Sequence, residues 1–196
     1  MSSALYENCL LTRPSVEEKA IPGAWLFVEG AILSRSGKGK PPKELQKRAE
    51  RRIDLEGKRV LPGFVNAHTH LYSALAGRMP WPKQRPESFR DILEQVWWRL
   101  DRALDERSLR VSARLGLAEA LRHGTTTLVD HHSGPGISEG ALAIIAEEAE
   151  QLGMKVALAA EMSDRNGEEI MEDALDENLR GLQNYADHDH LRGLFG

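Results

Sequence analysis

The sequence predicts an α/β protein, with a short strand-rich N-terminal part followed by parallel strands that alternate with helices. Three observations predict it. Residues 1–60 hold brief apolar or alternating runs punctuated by Gly23, Gly30 and Gly57, the pattern of short strands joined by turns. From Val60 onward, short apolar or β-branched runs alternate with amphipathic stretches. The later runs recur about every 30 to 35 residues, the size of a βα unit, and that alternation favours a parallel sheet.

The elements follow in order. Leu5 to Leu11, Ala24 to Glu29, Ala31 to Ser34 and Arg52 to Leu55 read as strands. Ser36 to Pro42 (SGKGKPP) reads as a loop by composition, and the charged stretch Lys43 to Arg51 as a short solvated helix. Val60 to Ala67 enters a strand. Glu87 to Leu104 spaces Phe89, Ile92, Leu93, Val96, Trp97, Leu100 and Leu104 as one apolar helical stripe. A second helix runs from Glu106 to Arg122 and stops before Gly124. Thr125 to Asp130 (TTTLVD) suits a strand, and Ser138 is placed to cap the next helix, which Gly153 stops. Lys155 to Ala160 is the next strand, Glu168 to Leu182 a helix, and Leu191 to Phe195 the start of a fourth strand.

Bulk composition narrows the class of protein. A net charge of −4 without a concentrated basic patch argues against nucleic acid as a partner. No apolar run reaches the roughly 18 residues of a membrane span, and Met1 to Leu11 lacks the basic start of a secretory signal. The lone Cys9 excludes an internal disulfide, so a reducing cytoplasm is the expected location.

The chemistry concentrates in Leu61-Pro-Gly-Phe-Val-Asn-Ala-His68-Thr-His70-Leu71. Residues two apart on a strand share a face, so His68 and His70 present two imidazoles side by side. At a strand end, two neutral imidazoles form half of a metal site, and nitrogen donors suit zinc, with iron possible. His131 and His132 close the Thr125 to Asp130 run. One is expected to meet substrate or a metal-held water while the other packs behind, and the sequence does not say which. Glu161 ends the third strand and is a candidate acceptor for the N–H groups of a heterocycle, or a partner for Arg165. Trp81, in a proline-rich loop after the first strand, is a candidate stacking residue. Trp97 reads as core, and Trp98 as a possible contact with a neighbouring subunit. Asp130 reads as a loop anchor, and Asp187, His188, Asp189 and His190 as a solvated connector.

The stretch VLPGFVNAHTHL resembles the first barrel strand of the amidohydrolase superfamily. Together with VWWRLDRALDERSL, GTTTLVDHHSGP and EMSDRNG, it is similar to the triazine-hydrolase and chlorohydrolase branch, and within it to SsnA-type aminohydrolases. The resemblance implies the N-terminal portion of a metal-dependent (β/α)8 TIM barrel (residues 61–196, reaching about strand four), preceded by part of a small β-sandwich (residues 1–60). A whole barrel takes roughly 250 residues, and about 136 follow Val60. By resemblance, His68 and His70 are the paired metal ligands. The family's further histidines, its aspartate and its glutamate proton shuttle are expected beyond Gly196, so no catalytic residue is assigned here and this chain alone is expected to be inactive.

The implied activity is hydrolysis of a C–N bond, with ammonia leaving an N-heterocyclic small molecule. Ring-opening hydrolysis of the hydantoinase or imidazolone type is the alternative, as is a non-catalytic barrel remnant needing a partner. A carboxylated lysine, the mark of a two-metal version, falls beyond the end of the chain. A homo-oligomer is expected at full length. Half a barrel is expected to leave strand edges and apolar surface exposed.

Overall fold

The computed structural model describes residues 2–12 and 19–196. The chain forms two compact units, 1–62 and 63–196.

The first unit is a five-stranded sheet with one helix. Strands β1 (Ser3–Leu11), β2 (Ile21–Glu29) and β3 (Ile32–Lys38) are antiparallel neighbours; β4 (Arg51–Asp54) and β5 (Arg59–Val60) lie parallel to β1. Alternation along β2 sends Trp25 and Phe27 to one cluster with Leu5 and with Leu45 of α1 (Lys43–Arg48), and Ala24 and Leu26 to another, which Cys9 joins because the register of β1 shifts between Tyr6 and Cys9. Strand β3 runs through Ser36 and Gly37 to Lys38, where composition predicts a loop. The reason is a cross-strand pair, Trp25 with Gly37. The indole lies so close over Gly37 that a Cβ there would sit 2.5 Å from a ring carbon. This glycine makes room for a neighbour's ring within the ladder.

The second unit is a parallel sheet in the order β6 (Phe64–Thr69), β7 (Thr125–His132), β8 (Lys155–Ala160), β9 (Leu191–Gly193). Sequential parallel neighbours joined by helices are the construction of a βα barrel wall. The connecting helices include α4 (Glu106–Arg122), α5 (Ala141–Leu152) and α6 (Glu168–Asn184). Their inner faces meet the sheet in one core that includes Leu109, Leu117, Leu128, Ile145, Met154 and Leu158. Apolar residues at both sides of this sheet are exposed, Phe64 and Val65 on β6 and Phe195 after β9. Among the described residues, no helix is long and apolar enough to cross a membrane.

Two helix boundaries depart from the sequence reading. The stretch read as one helix from Glu87 to Leu104 is α2 (Phe89–Ile92), a π-helical turn (Leu93–Trp97) and α3 (Trp98–Arg102), started by a capping box between Ser88 and Asp91. Its first apolar positions are not core: Phe89 is 72% and Ile92 38% exposed. Leu100 and Leu104 are buried.

The second departure is at α5. Ser138 does not cap it; its hydroxyl donates to Asp173 at 3.0 Å. The N-cap is Gly140, at φ 79°, a conformation that glycine adopts without strain. The free N–H groups of the first turn are instead satisfied from α6. Buried Glu177 accepts from Gly140 N at 3.1 Å and from Leu142 N at 2.9 Å. A carboxylate at a helix N-terminus also faces the positive end of the helix dipole. Replacing Glu177 by alanine in the full-length protein is expected to cost about 1–2 kcal/mol, the worth of a good cap. Chemical denaturation checks this, with Glu177→Gln expected to recover part of the loss.

Candidate metal centre and adjoining cleft

The C-terminal ends of β6, β7 and β8 gather the polar residues. The period of two on β6 puts His68 and His70 on one side of the strand, and their Nε2 atoms are 3.1 Å apart. Two nitrogens bound at 2.0–2.1 Å to one zinc ion lie roughly 2.9–3.4 Å apart, for angles from right to tetrahedral. The pair therefore fits a shared divalent ion.

A second contact fixes the orientation. His70 Nδ1 lies 2.9 Å from the His131 carbonyl oxygen. A carbonyl only accepts, so Nδ1 carries the proton and Nε2 keeps its lone pair for the metal. Among the described residues, no third His, Cys, Asp or Glu completes a cluster able to hold an ion.

The turn after β6 is anchored from beneath. Fully buried Asp130 accepts from Leu71 N at 2.6 Å, while its other oxygen has no partner. Burial raises its carboxyl to about 7. Ser112 of α4, also buried, contacts the carbonyls of Leu71 and Tyr72 at 2.7 and 2.9 Å. Together they hold the chain where it leaves the histidine pair.

His131 and His132 point to opposite sides of β7. The His131 ring is 5.9 Å from that of His70 and lines the same hollow as His68 and His70. Burial lowers its affinity for a proton, and the neighbouring histidines add to this against the pull of Glu161. His132 is 3% exposed, packs edge-on to Tyr72, and has no partner at either ring nitrogen. Burial pushes it down to about 4, so its ring is neutral.

A cleft of 390 Å³ adjoins the pair. It is lined by His70, Tyr72 and His131, by the apolar Phe89, Leu93, Trp97 and Trp98, and by the polar Asp101, Ser133, Glu161 and Arg165. Arg165 Nη2 donates to Asp101 at 2.6 Å and to Glu161 at 2.9 Å, and Ser133 Oγ accepts from the same nitrogen at 2.9 Å. Ser133 in turn donates to Glu161. The guanidinium lies 5.4 Å from the Trp98 ring centre, within cation–π range. Although burial opposes it, the bonds from Arg165 and Ser133 hold the Glu161 carboxyl below its usual value. Tyr72 is pushed up to about 12, by burial first and then by Asp101 and Glu161, and stays a neutral phenol.

Glu161 is itself set by a buried amide. Asn178 of α6 accepts from Ala160 N at 2.7 Å and donates to Ala160 O at 2.9 Å, pinning the end of β8.

Of the residues singled out from sequence, His68, His70, His131 and Glu161 come together around the hollow and cleft. His132 lies behind them. Trp81 is not brought to this place: it is 88% exposed and lines a separate depression with Met79, Pro80 and Gln95. His188 bonds Glu150 at 2.9 Å and accepts from the His190 and Leu191 backbone, a structural role.

Sequence reasoning did not find Trp97, Trp98, Asp101, Ser133 and Arg165 as a cleft. The local signal was the four-residue spacing of Phe89, Leu93, Trp97 and Asp101. In an α-helix each step of four overshoots a turn by about 40°. A π-turn takes more residues per turn and cancels part of that drift, so the Leu93–Trp97 turn keeps all four on the cleft.

Comparison with known proteins agrees with this architecture. The model of the amidohydrolase family matches residues 59–191. Isoxanthopterin deaminase from an unknown prokaryotic organism is 30% identical over 149 residues, covering 70% of this chain and 28% of that protein. Triazine hydrolase from Arthrobacter aurescens superposes with a TM-score of 0.78 at 20% identity, over 100% of this chain and 46% of its own. Atrazine chlorohydrolase from the same species, complexed with zinc, superposes at 0.74 with 21% identity, over 96% of this chain and 45% of its own. The chain thus spans less than half the length of each. The histidine pair, the parallel βα units and the family match lead to one conclusion: this chain belongs to the amidohydrolase family.

Proposed function

We propose that this chain supplies a metal-ligand pair and one part of the substrate cleft of a metal-dependent aminohydrolase that removes an amino group from a flat nitrogen heterocycle. The observation that carries this reading is the convergence of His68 Nε2 and His70 Nε2 to 3.1 Å, with His70 oriented by the His131 carbonyl. The names of the similar proteins support the substrate class, since pterin and triazine are both flat, nitrogen-rich rings.

A bound divalent ion, zinc in the chlorohydrolase structure, would supply hydroxide near neutral pH. The chain's own residues do the rest of what is assigned here. His131, whose affinity for a proton burial lowers, offers a ring nitrogen to the substrate or to its water. Trp97 and Trp98 present aromatic faces for stacking, and Glu161 accepts ring N–H groups. The lone buried thiol of Cys9 suits a reducing cytoplasm.

The test is ammonia release by the full-length protein, zinc-loaded and chelator-stripped, on amino-substituted pterins, purines and triazines. At least one ring is expected to be turned over, with loss on stripping and recovery on adding zinc. A folded, zinc-loaded protein that releases no ammonia from any of them overturns the reading.

A further inference from the structure

The polar lining of the cleft carries a charge balance that hydrolysis alone does not require. One guanidinium, Arg165, faces two carboxylates, Asp101 and Glu161, so the cluster keeps one negative charge. The guanidinium turns its engaged nitrogen to these acids rather than to a ligand. Its Nη2 is engaged by Asp101, Ser133 and Glu161. Its Nε and Nη1 are sealed from solvent without a partner.

Glu161 is different. Both of its bonds land on Oε2, and its side chain is 30% exposed beside the cleft. Oε1 remains, among the described residues, as an acceptor. The same cleft is lined by the half-buried rings of Trp97 and Trp98, whose electron-rich faces also favour positive over negative charge.

We propose that the cleft is a charge-selective subsite: it takes an N–H-bearing edge of a flat heteroaromatic ring, neutral or cationic, other than the amino group that leaves at the metal, and turns away rings carrying a carboxylate. An N–H donor finds Glu161 Oε1. A carboxylate meets two fixed carboxylates and an arginine whose Nη2 they already engage and whose other nitrogens are sealed from solvent. This inference rests on the aminohydrolase reading and specifies which edge of the substrate faces away from the metal.

The experiment compares two probes on the zinc-loaded full-length protein, 2,6-diaminopurine and purine-6-carboxylate, with Kd read from quenching of tryptophan fluorescence. Diaminopurine is expected to bind at least about tenfold more tightly, a difference of about 1.4 kcal/mol. In Glu161→Gln the ratio of the two affinities is expected to shift at least about tenfold toward the carboxylate ring. Trp98→Leu is expected to weaken both rings and to narrow their ratio less than Glu161→Gln does.

Should Glu161→Gln fail to fold, salt provides the second measurement. The wild-type ratio is expected to narrow as ionic strength rises, because charge repulsion is screened. Zinc-dependent binding of both rings with equal affinity, or a ratio indifferent to Glu161 and to salt, overturns the charge selection and leaves the aminohydrolase reading standing. Binding of neither ring, with no ammonia released from any substrate, sinks both.

Discussion

Replacing His70 by alanine is expected to abolish stoichiometric zinc binding in the full-length protein and lower affinity by more than about 10²-fold. The bound is physical: losing a group that merely orients a ligand typically costs 10- to 100-fold in metal affinity, and losing the ligand costs more. His70 combines both features, with Nε2 turned to the pair and Nδ1 held by the His131 carbonyl at 2.9 Å. His68→Ala is expected to do the same. Trp81→Ala is the control. Its ring is 88% exposed and lines a different depression, so zinc content and ring binding should match wild type. Metal content by elemental analysis and competition with a chelator check all three. A His70→Ala protein that retains a full equivalent of zinc at wild-type affinity would remove the basis of the metal assignment.

The largest expected effect on stability comes from Asn178. This fully buried amide meets both polar groups of the Ala160 peptide unit, at 2.7 and 2.9 Å. Alanine leaves a buried N–H and a buried C=O without partners, at about 1–3 kcal/mol each. A loss of about 2–6 kcal/mol follows, or at least roughly 4 °C in Tm at about 2 °C per kcal/mol. Asn178→Leu separates packing from hydrogen bonding. It fills the space without polar atoms, so it should fall with alanine. If leucine matches wild type, packing rather than the amide pair holds the end of β8. Because Glu161 follows Ala160 directly, both variants should also weaken binding of an amino-bearing ring.

What could be read from the sequence was whatever depends on short spacing. The two-residue step from His68 to His70, the glycine stops at Gly124 and Gly153, and the bounds of α4 and β8 all express local geometry. What could not be read depends on partners far along the chain. Asp101 and Arg165 meet across 64 positions, and nothing near either residue marks the pairing. Ser138 had the right chemistry for a cap, yet it bonds Asp173 because Glu177 already occupies the helix start. Trp97 packs against the core as its helical period suggests, yet it also lines the cleft with Trp98, where a π-turn changes that period within five residues. Gly37 reads as a loop residue until Trp25 is laid across it.

The cap on α5 has a consequence for the chain as it emerges from the ribosome. The first turn of that helix waits for a carboxylate 35 positions downstream of Leu142. At synthesis rates of about 5–20 residues per second, the delay is of order seconds, whereas helices form in about a microsecond. For that interval the nascent helix has a frayed start, and α6 closes it only on docking. The third βα unit thereby acts as a latch on the second, so the wall of the barrel tightens in order of translation rather than unit by unit.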